Sequence, residues 1–275
     1  MVEEPASRRR SEIEPAGQKI ANWEDMAAWW DERQGEEGDL WHRTIIDPTL
    51  FKVLGPAERQ DVLDLACGNG YVARKLARSG ARVTGVDASL AMIERALARE
   101  ERDPLGIAYH VADAARMDVL GDATFDVVVC NMALMDMPNA EGALREAARV
   151  LKPWGRIVAS MVHPCFDLGE DSGWVVEKVG PSTTVFRKVS RYRAASPKRA
   201  HWRGEAERIW FTTSYHRPLS WYFRALRNAG FVVSTFEEPE PTEEFKVESP
   251  QGEWVEQVPL QCVIEALKMS ENARP

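Results

Sequence analysis

The sequence predicts an α/β protein whose parallel sheet carries helices on both faces, and three observations support that class. Strand-like and helix-like segments alternate over residues 61–162, the arrangement that builds βαβ units. At 62–77, VLDLACGNGYVARKLA, an apolar strand joins a helix through a loop containing Gly68 and Gly70. Near the end, residues 219–228 read as a helix, and 231–236 and 259–267 as two strands. No helical pattern is visible between those two strands, so they should pair antiparallel.

The elements can be justified in order. Residues 1–18 are rich in Glu, Arg and Pro, the composition of a disordered tail. Asn22 is suited to cap a helix in which Trp23, Met26, Ala27 and Trp30 recur at i, i+3, i+4, i+7, and a second apolar segment covers 44–54. The strand at 62–66 is apolar except for Asp64, as expected of a strand covered on both faces. Gly68 and Gly70 allow a tight turn and a close approach of ligand to the free N–H groups of the next helix. Val72 and Leu76 mark that helix's buried side and Gly80 its end. Residues 82–89, RVTGVDAS, read as a second strand ending in Asp87, and 125–134, FDVVVCNMAL, as a fourth. Asn139 caps a helix with Leu144, Ala147, Ala148 and Leu151 on one face, after which Pro153, Trp154 and Gly155 turn the chain into a fifth strand at 156–162.

Gly68-Asn69-Gly70 followed by Ala73 fits the dinucleotide pattern G-x-G-x-x-G/A. Asp64 argues for a different ligand, because a carboxylate just before the glycines repels a pyrophosphate but attracts the amino group and sulfonium of S-adenosylmethionine. The string DLACGNG closely resembles the first motif of class I S-adenosylmethionine-dependent methyltransferases. VADA at 111–114 is similar to the family's adenine segment, residues 125–139 to the fourth motif of small-molecule enzymes of the type-11 kind, and VLKPWGRIVAS to its helix–turn–strand signature. The D/N/S-P-P-aromatic signature of DNA amino-methyltransferases does not occur.

That resemblance implies a Rossmann-like seven-stranded sheet with one antiparallel edge strand, an N-terminal helical lid and an insertion after the fifth strand. It also implies S-adenosylmethionine as cofactor. Asp64, Gly68 and Gly70 would cradle it, Asp87 would accept from the ribose hydroxyls, and Asp113 and the Ala114 backbone would meet the adenine, with Ala66, Asn69, Ala88 and Asn131 alongside. Arg43, near the lid, is a candidate for the methionyl carboxylate because a guanidinium binds that group bidentately; a solvated surface arginine is the alternative.

The flanks are where specialisation is expected. None of the ten tryptophans falls between Asp61 and Lys152. Most of the rings in the first helix should dock it on the main domain, with one or two facing the ligand. The long insertion at 163–217 opens with His163, just past a central strand end where ligands bind in open α/β sheets, and closes with His216. His163 is the first candidate for a general base and His216 the second, since imidazole can take a hydroxyl proton at neutral pH; a structural role for either stays open. Residues 187–208 hold eight Lys or Arg interleaved with Tyr192, His201 and Trp202. Such a run is either a solvated ribbon face or a grip for nucleic acid.

Composition narrows the field. A chain of 275 residues with 44% apolar content can bury a full core. A net charge of −8 disfavours a general nucleic-acid binder. No apolar run reaches the ~20 residues of a membrane span, and MVEEPASRRR lacks the apolar part of a signal peptide. Cys67, Cys130, Cys165 and Cys262 lack C-x-x-C spacing, so reduced thiols are expected and no metal site. The expectation is a soluble, cytoplasmic methyltransferase that moves a methyl group to an oxygen or nitrogen of a small molecule, with no membrane partner; composition is silent on oligomeric state. Its organisation is a tail at 1–18, a lid at 19–55, a cofactor core at 56–162, a substrate-covering insertion at 163–217 and a C-terminal part at 218–275. An RNA or protein methyltransferase ranks second, on the basic insertion alone. A nicotinamide-dependent oxidoreductase ranks third, because it leaves Asp64 and the later motifs unexplained.

Overall fold

The computed structural model describes residues 22–180, 182–203 and 209–269. The expected tail lies outside them. The chain forms α1 (Trp23–Gln34), a π-helical turn (His42–Ile46) that runs into α2 (Asp47–Leu54), β1 (Asp61–Leu65), α3 (Tyr71–Arg78), β2 (Arg82–Asp87), α4 (Leu90–Arg102) and β3 (Ala108–Val111). There follow β4 (Phe125–Asn131), α5 (Ala140–Val150) and β5 (Leu151–Val162), then the insertion strands β6 (Ser172–Val179), β7 (Ser182–Val189), β8 (Ser196–Arg203) and β9 (Ile209–His216). The last part holds α6 (Leu219–Asn228), β10 (Phe231–Glu237), the short α7 (Glu243–Glu248) and α8 (Gly252–Gln257), and β11 (Gln261–Lys268).

Seven strands form one sheet in the order β10-β11-β5-β4-β1-β2-β3. The pairs among β1 to β5 are parallel, while β11 runs antiparallel to both β5 and the edge strand β10. Alternation along each strand sorts side chains between two layers. Val62, Val127, Val129 and Val158 pack with residues of α2, α3 and α4, whereas Leu63, Val128, Cys130 and Ile157 pack with residues of α5 and α6. Strand order reverses between β1 and β4, and a crevice opens beyond their carboxyl ends, as it does at switch points of open sheets.

Several expectations are corrected in detail. Leu151 ends its helix but already pairs with Phe125, so β5 begins earlier than the Pro153 turn; residues 152–155 form a bulge before Arg156 pairs with Val127. Trp154 at its tip has φ 66° and is exposed. The antiparallel strands β10 and β11 are connected through two short helices that no periodic pattern announced, each too brief to show a repeat. Phe245 and Val255 from these helices pack with Ile45 and Leu260 beneath the amino-terminal segment. Of the segment expected as a lid, α2 belongs to the core layer through Leu50 and Leu54, and α1 with the π-helical turn borders the crevice. The insertion is two antiparallel hairpins, β6 with β7 and β8 with β9.

Candidate active site

The loop after β1 is held in conformations that suit close approach. Ala66, Gly68 and Gly70 all have positive φ, of 58°, 54° and 81°. A Cβ on Gly68 would meet no atom within 4 Å, whereas one on Gly70 would stand 2.5 Å from the Tyr109 hydroxyl. Gly68 therefore borders open space, and Gly70 serves packing at the start of α3. Asp87 fastens this loop to the end of β2, accepting from the Gly68 N–H at 2.9 Å and the Ser89 N–H at 2.8 Å.

Asp64, one residue before the end of β1, is 1% exposed. Its carboxylate accepts from the Ala73 N–H, yet Oδ2 has no partner. Burial, with a further push from the Asp87 charge, raises it to about 7. An orphaned carboxylate oxygen at a strand end calls for a cation or a donor. The ammonium and sulfonium of S-adenosylmethionine fit this requirement; a pyrophosphate does not.

A cavity of about 560 Å³ lies over the loop. Asp64, Ala66, Gly68, Asn69, Asp87, Ala88, Ala114 and Asn131 all border it, so the structure brings these expected residues together. Asn131 is fixed in a polar chain, donating to the Tyr71 hydroxyl at 2.6 Å and accepting from Ser160 Oγ at 2.5 Å. Three expected residues stand outside the wall. Gly70 is turned to Tyr109, as described. Asp113 is exposed and closes its own turn by accepting from the Ala115 N–H at 2.8 Å. Arg43 points away and pairs with Glu244 and Glu248, because the π-helical turn presents its neighbour His42 to the cavity instead.

A second cavity, of about 650 Å³, adjoins the first. Trp23, Trp30, His42, Met132 and Asp136 border both. Its walls are aromatic: Trp41, Trp174, Trp202, Tyr215 and Tyr222 take part. Trp202 of β8 meets Trp23 and Trp30 of α1 edge to face at 5.6 and 5.2 Å, tying the insertion to the amino-terminal helix. These rings form the cavity wall rather than merely docking α1, which is anchored by the buried Met26 and Ala27.

Neither expected base keeps its place unchanged. His163 is 2% exposed and does not border either cavity. Its ring lies against Phe166 and Phe236, Nε2 bonds Glu238 at 2.9 Å, and Nδ1 accepts from the Cys165 N–H at 3.1 Å. Burial pushes its pKa down against the Glu238 charge. It fixes the turn into the insertion. His216 does border the second cavity, but its Nε2 donates to the Tyr192 carbonyl at 2.7 Å.

Two groups that sequence reasoning passed over occupy the junction. Asp136, five residues past the end of β4, is hydrogen-bonded to Ser214 and Trp23, and burial raises it to about 7. Its signal was its location beyond a strand at the switch point, in the MDMP segment. His42 Nδ1 bonds Asp39 Oδ1 at 2.8 Å and its ring packs on Trp30 and Tyr71. Asp39 is held down to about 2, its hydrogen bond and charge contact with His42 outweighing burial. Cys67 is buried, which pushes its thiol well up and argues against a nucleophile.

Known proteins share this construction. A family model described as a methyltransferase domain matches residues 63–159. A ubiquinone biosynthesis O-methyltransferase from Sodalis glossinidius (strain morsitans) is 29% identical over 192 residues, covering 68% of this chain and 73% of that protein. The protein of the same name from Albidiferax ferrireducens is 31% identical over 147 residues, covering 53% of this chain and 58% of its own length. The crystal structure of an S-adenosylmethionine dependent methyltransferase from Mesorhizobium loti matches with a TM-score of 0.70 at 25% identity, over 85% of this chain and 100% of that one. A buried carboxylate in want of a cation, at the switch point of a sheet shared with these proteins, makes the chain a class I S-adenosylmethionine-dependent methyltransferase of the type-11 kind, with S-adenosylmethionine as its cofactor.

Proposed function

We propose that the protein methylates an oxygen of a small aromatic molecule held in the tryptophan-walled cavity, with Asp136 taking the proton. The carrying observation is Asp136, a half-buried carboxylate raised to about 7 at the junction of the two cavities. Two relatives named as O-methyltransferases support the choice of oxygen. When bound, the cofactor supplies an electrophilic methyl group on a positively charged sulfur. Asp64 and the loop from Ala66 to Asn69 would hold its methionyl end, Asp87 its ribose, and Ala112 and Ala114 would flank its base. His42 and Gln34, which border the same cavity, take over the role first assigned to Arg43.

Methylation of a hydroxyl makes an ether and releases one proton. Asp136 accepts it, and a base that titrates near the working pH is well matched to that task. Ser214 and Trp23 hold the carboxylate in position, so the insertion and α1 assemble the base between them. The tryptophan walls exclude water and orient a flat ring, and positioning of that kind supplies ~7–11 kcal/mol in favourable cases.

The reading as an RNA enzyme loses ground. Arg187, Arg191 and Lys198 are paired with Asp167 and Asp171, which leaves them poorly disposed to grip phosphates. Labelled cofactor offered with catechol, 3,4-dihydroxybenzoate and cellular RNA tests the proposal. Methyl ethers of the phenols are expected; label in RNA alone, or in none of the hydroxylated aromatics, would overturn it.

A further inference from the structure

We propose that the acceptor carries an anionic group, a carboxylate on its aromatic ring, and that Arg217 binds it. The inference rests on reading the tryptophan-walled cavity as the acceptor site. Arg217 follows β9, borders that cavity and is 7% exposed. Its Nη2 donates to the backbone carbonyls of Met137 at 2.7 Å and Pro138 at 3.2 Å. The rings of Trp221 and Tyr215 lie 4.7 and 5.3 Å from the guanidinium carbon. Among the described residues no carboxylate forms an ion pair with it, Nη2 is bonded to carbonyls, and Nη1 is buried without a hydrogen-bond partner. The Tyr222 hydroxyl stands beside the same guanidinium, but burial pushes that phenol up to about 12, so it stays neutral.

Three other cations of the same wall are paired with carboxylates, Arg33 with Asp39, Arg187 with Asp167 and Lys198 with Asp171, and Arg199 lies over the Phe211 ring. Arg217 differs. A buried guanidinium balanced only by peptide carbonyls and a neutral phenol is costly, and rings over its faces leave its edge for in-plane donation. A planar carboxylate matches that edge. Gln261 Oε1 borders the same cavity, buried and unpaired, and offers an acceptor for a second hydroxyl of the ring. Met137, whose carbonyl holds Arg217, directly follows Asp136 in the chain. Anion site and proton acceptor thus share one loop, which suits a compact acid bearing both groups.

The test compares benzoate with the neutral, similarly shaped benzamide, titrated calorimetrically into the full chain loaded with S-adenosylhomocysteine. Benzoate is expected to bind about tenfold more tightly, the gain of one charge-assisted pair. Arg217→Gln should abolish that preference while leaving benzamide affinity in place, and Arg217→Lys should retain part of it. Equal affinities in the unaltered protein, or no benzoate binding, overturn the proposal without reliance on any variant's folding. A preference for benzoate together with failure of every phenol as methyl acceptor would sustain the anion site and remove the O-methylation reading.

Discussion

Asp136 and His163 show two ways in which a polar side chain is withdrawn from water, the first half-buried and the second fully. Asp136 faces a cavity and is raised to about 7 by burial, opposed only in part by Ser214 and Trp23. Asp136→Asn should lower kcat by ~10²–10⁴-fold, with a smaller effect on cofactor affinity, and remove the acidic limb of the pH–rate profile near neutrality. Steady-state rates from pH 5.5 to 9 check this, and a variant with an unchanged profile would exclude Asp136 as the base. His163 is packed between rings and bonded at both nitrogens. His163→Ala should cost ~1–3 kcal/mol of stability through lost packing and hydrogen bonds, yet leave kcat and its pH dependence intact. Urea unfolding and rates on the same preparation decide it; a thousandfold loss of kcat in a stable variant would restore the histidine to the chemistry.

At the scale of elements, the amino-terminal helix is more than a cover. Asp31 of α1 accepts from the Asn69 side chain at 2.9 Å and pairs with Arg99 of α4 at 2.7 Å. Glu24 accepts from the Ser89 hydroxyl at 2.5 Å and from the Ala91 N–H at the start of α4. The helix is therefore clamped onto the loop that borders the cofactor cavity. Asp31→Ala should weaken S-adenosylhomocysteine binding by ~1–2 kcal/mol in calorimetric titration, since Asn69 and Arg99 lose a charged partner at once. Unaltered affinity would show that the clamp does not preorganise the loop. Arg43→Ala, on the π-helical turn and paired outside, should leave that affinity untouched.

For the whole molecule, pH acts through opposing sets of carboxylates. Asp64 and Asp136 rise from 3.8 to about 7 in the fold, so folded protein holds protons that the unfolded chain releases. The stability they contribute is present below about pH 4 and is lost as pH rises towards 7. Asp39 is lowered to about 2, and its contribution, present above about pH 4, is lost only as pH falls towards 2. The melting temperature of the ligand-free protein should accordingly fall between pH 5 and 8. S-adenosylhomocysteine, whose ammonium can pair with Asp64, should stabilise more at pH 8 than at pH 5. Melting curves across that range test it; a flat or rising trend in the ligand-free protein would mean that neither carboxylate is held protonated. No helix among the described residues is long and apolar enough to cross a membrane.

The sheet and the cofactor loop were legible in the sequence because they depend on local rules. Period-two apolar strands, caps such as Asn22 and Asn139, and the glycines around Asp64 each act within a few residues, and alternation of strand with helix implies parallel pairing. What meets across the crevice was not legible in that way. Whether Arg43 or His42 turned inward depended on a π-helical turn, and whether His163 reached the cavity depended on Phe236 and Glu238, seventy residues and more along the chain. Asp136 is raised by the desolvation that packing imposes on it, against hydrogen bonds from Trp23 and Ser214, one on each flank of the core. A local pattern fixes the path of the backbone, but the ionisation of a side chain is set by burial and by partners distant in sequence, and only the packed structure supplies both.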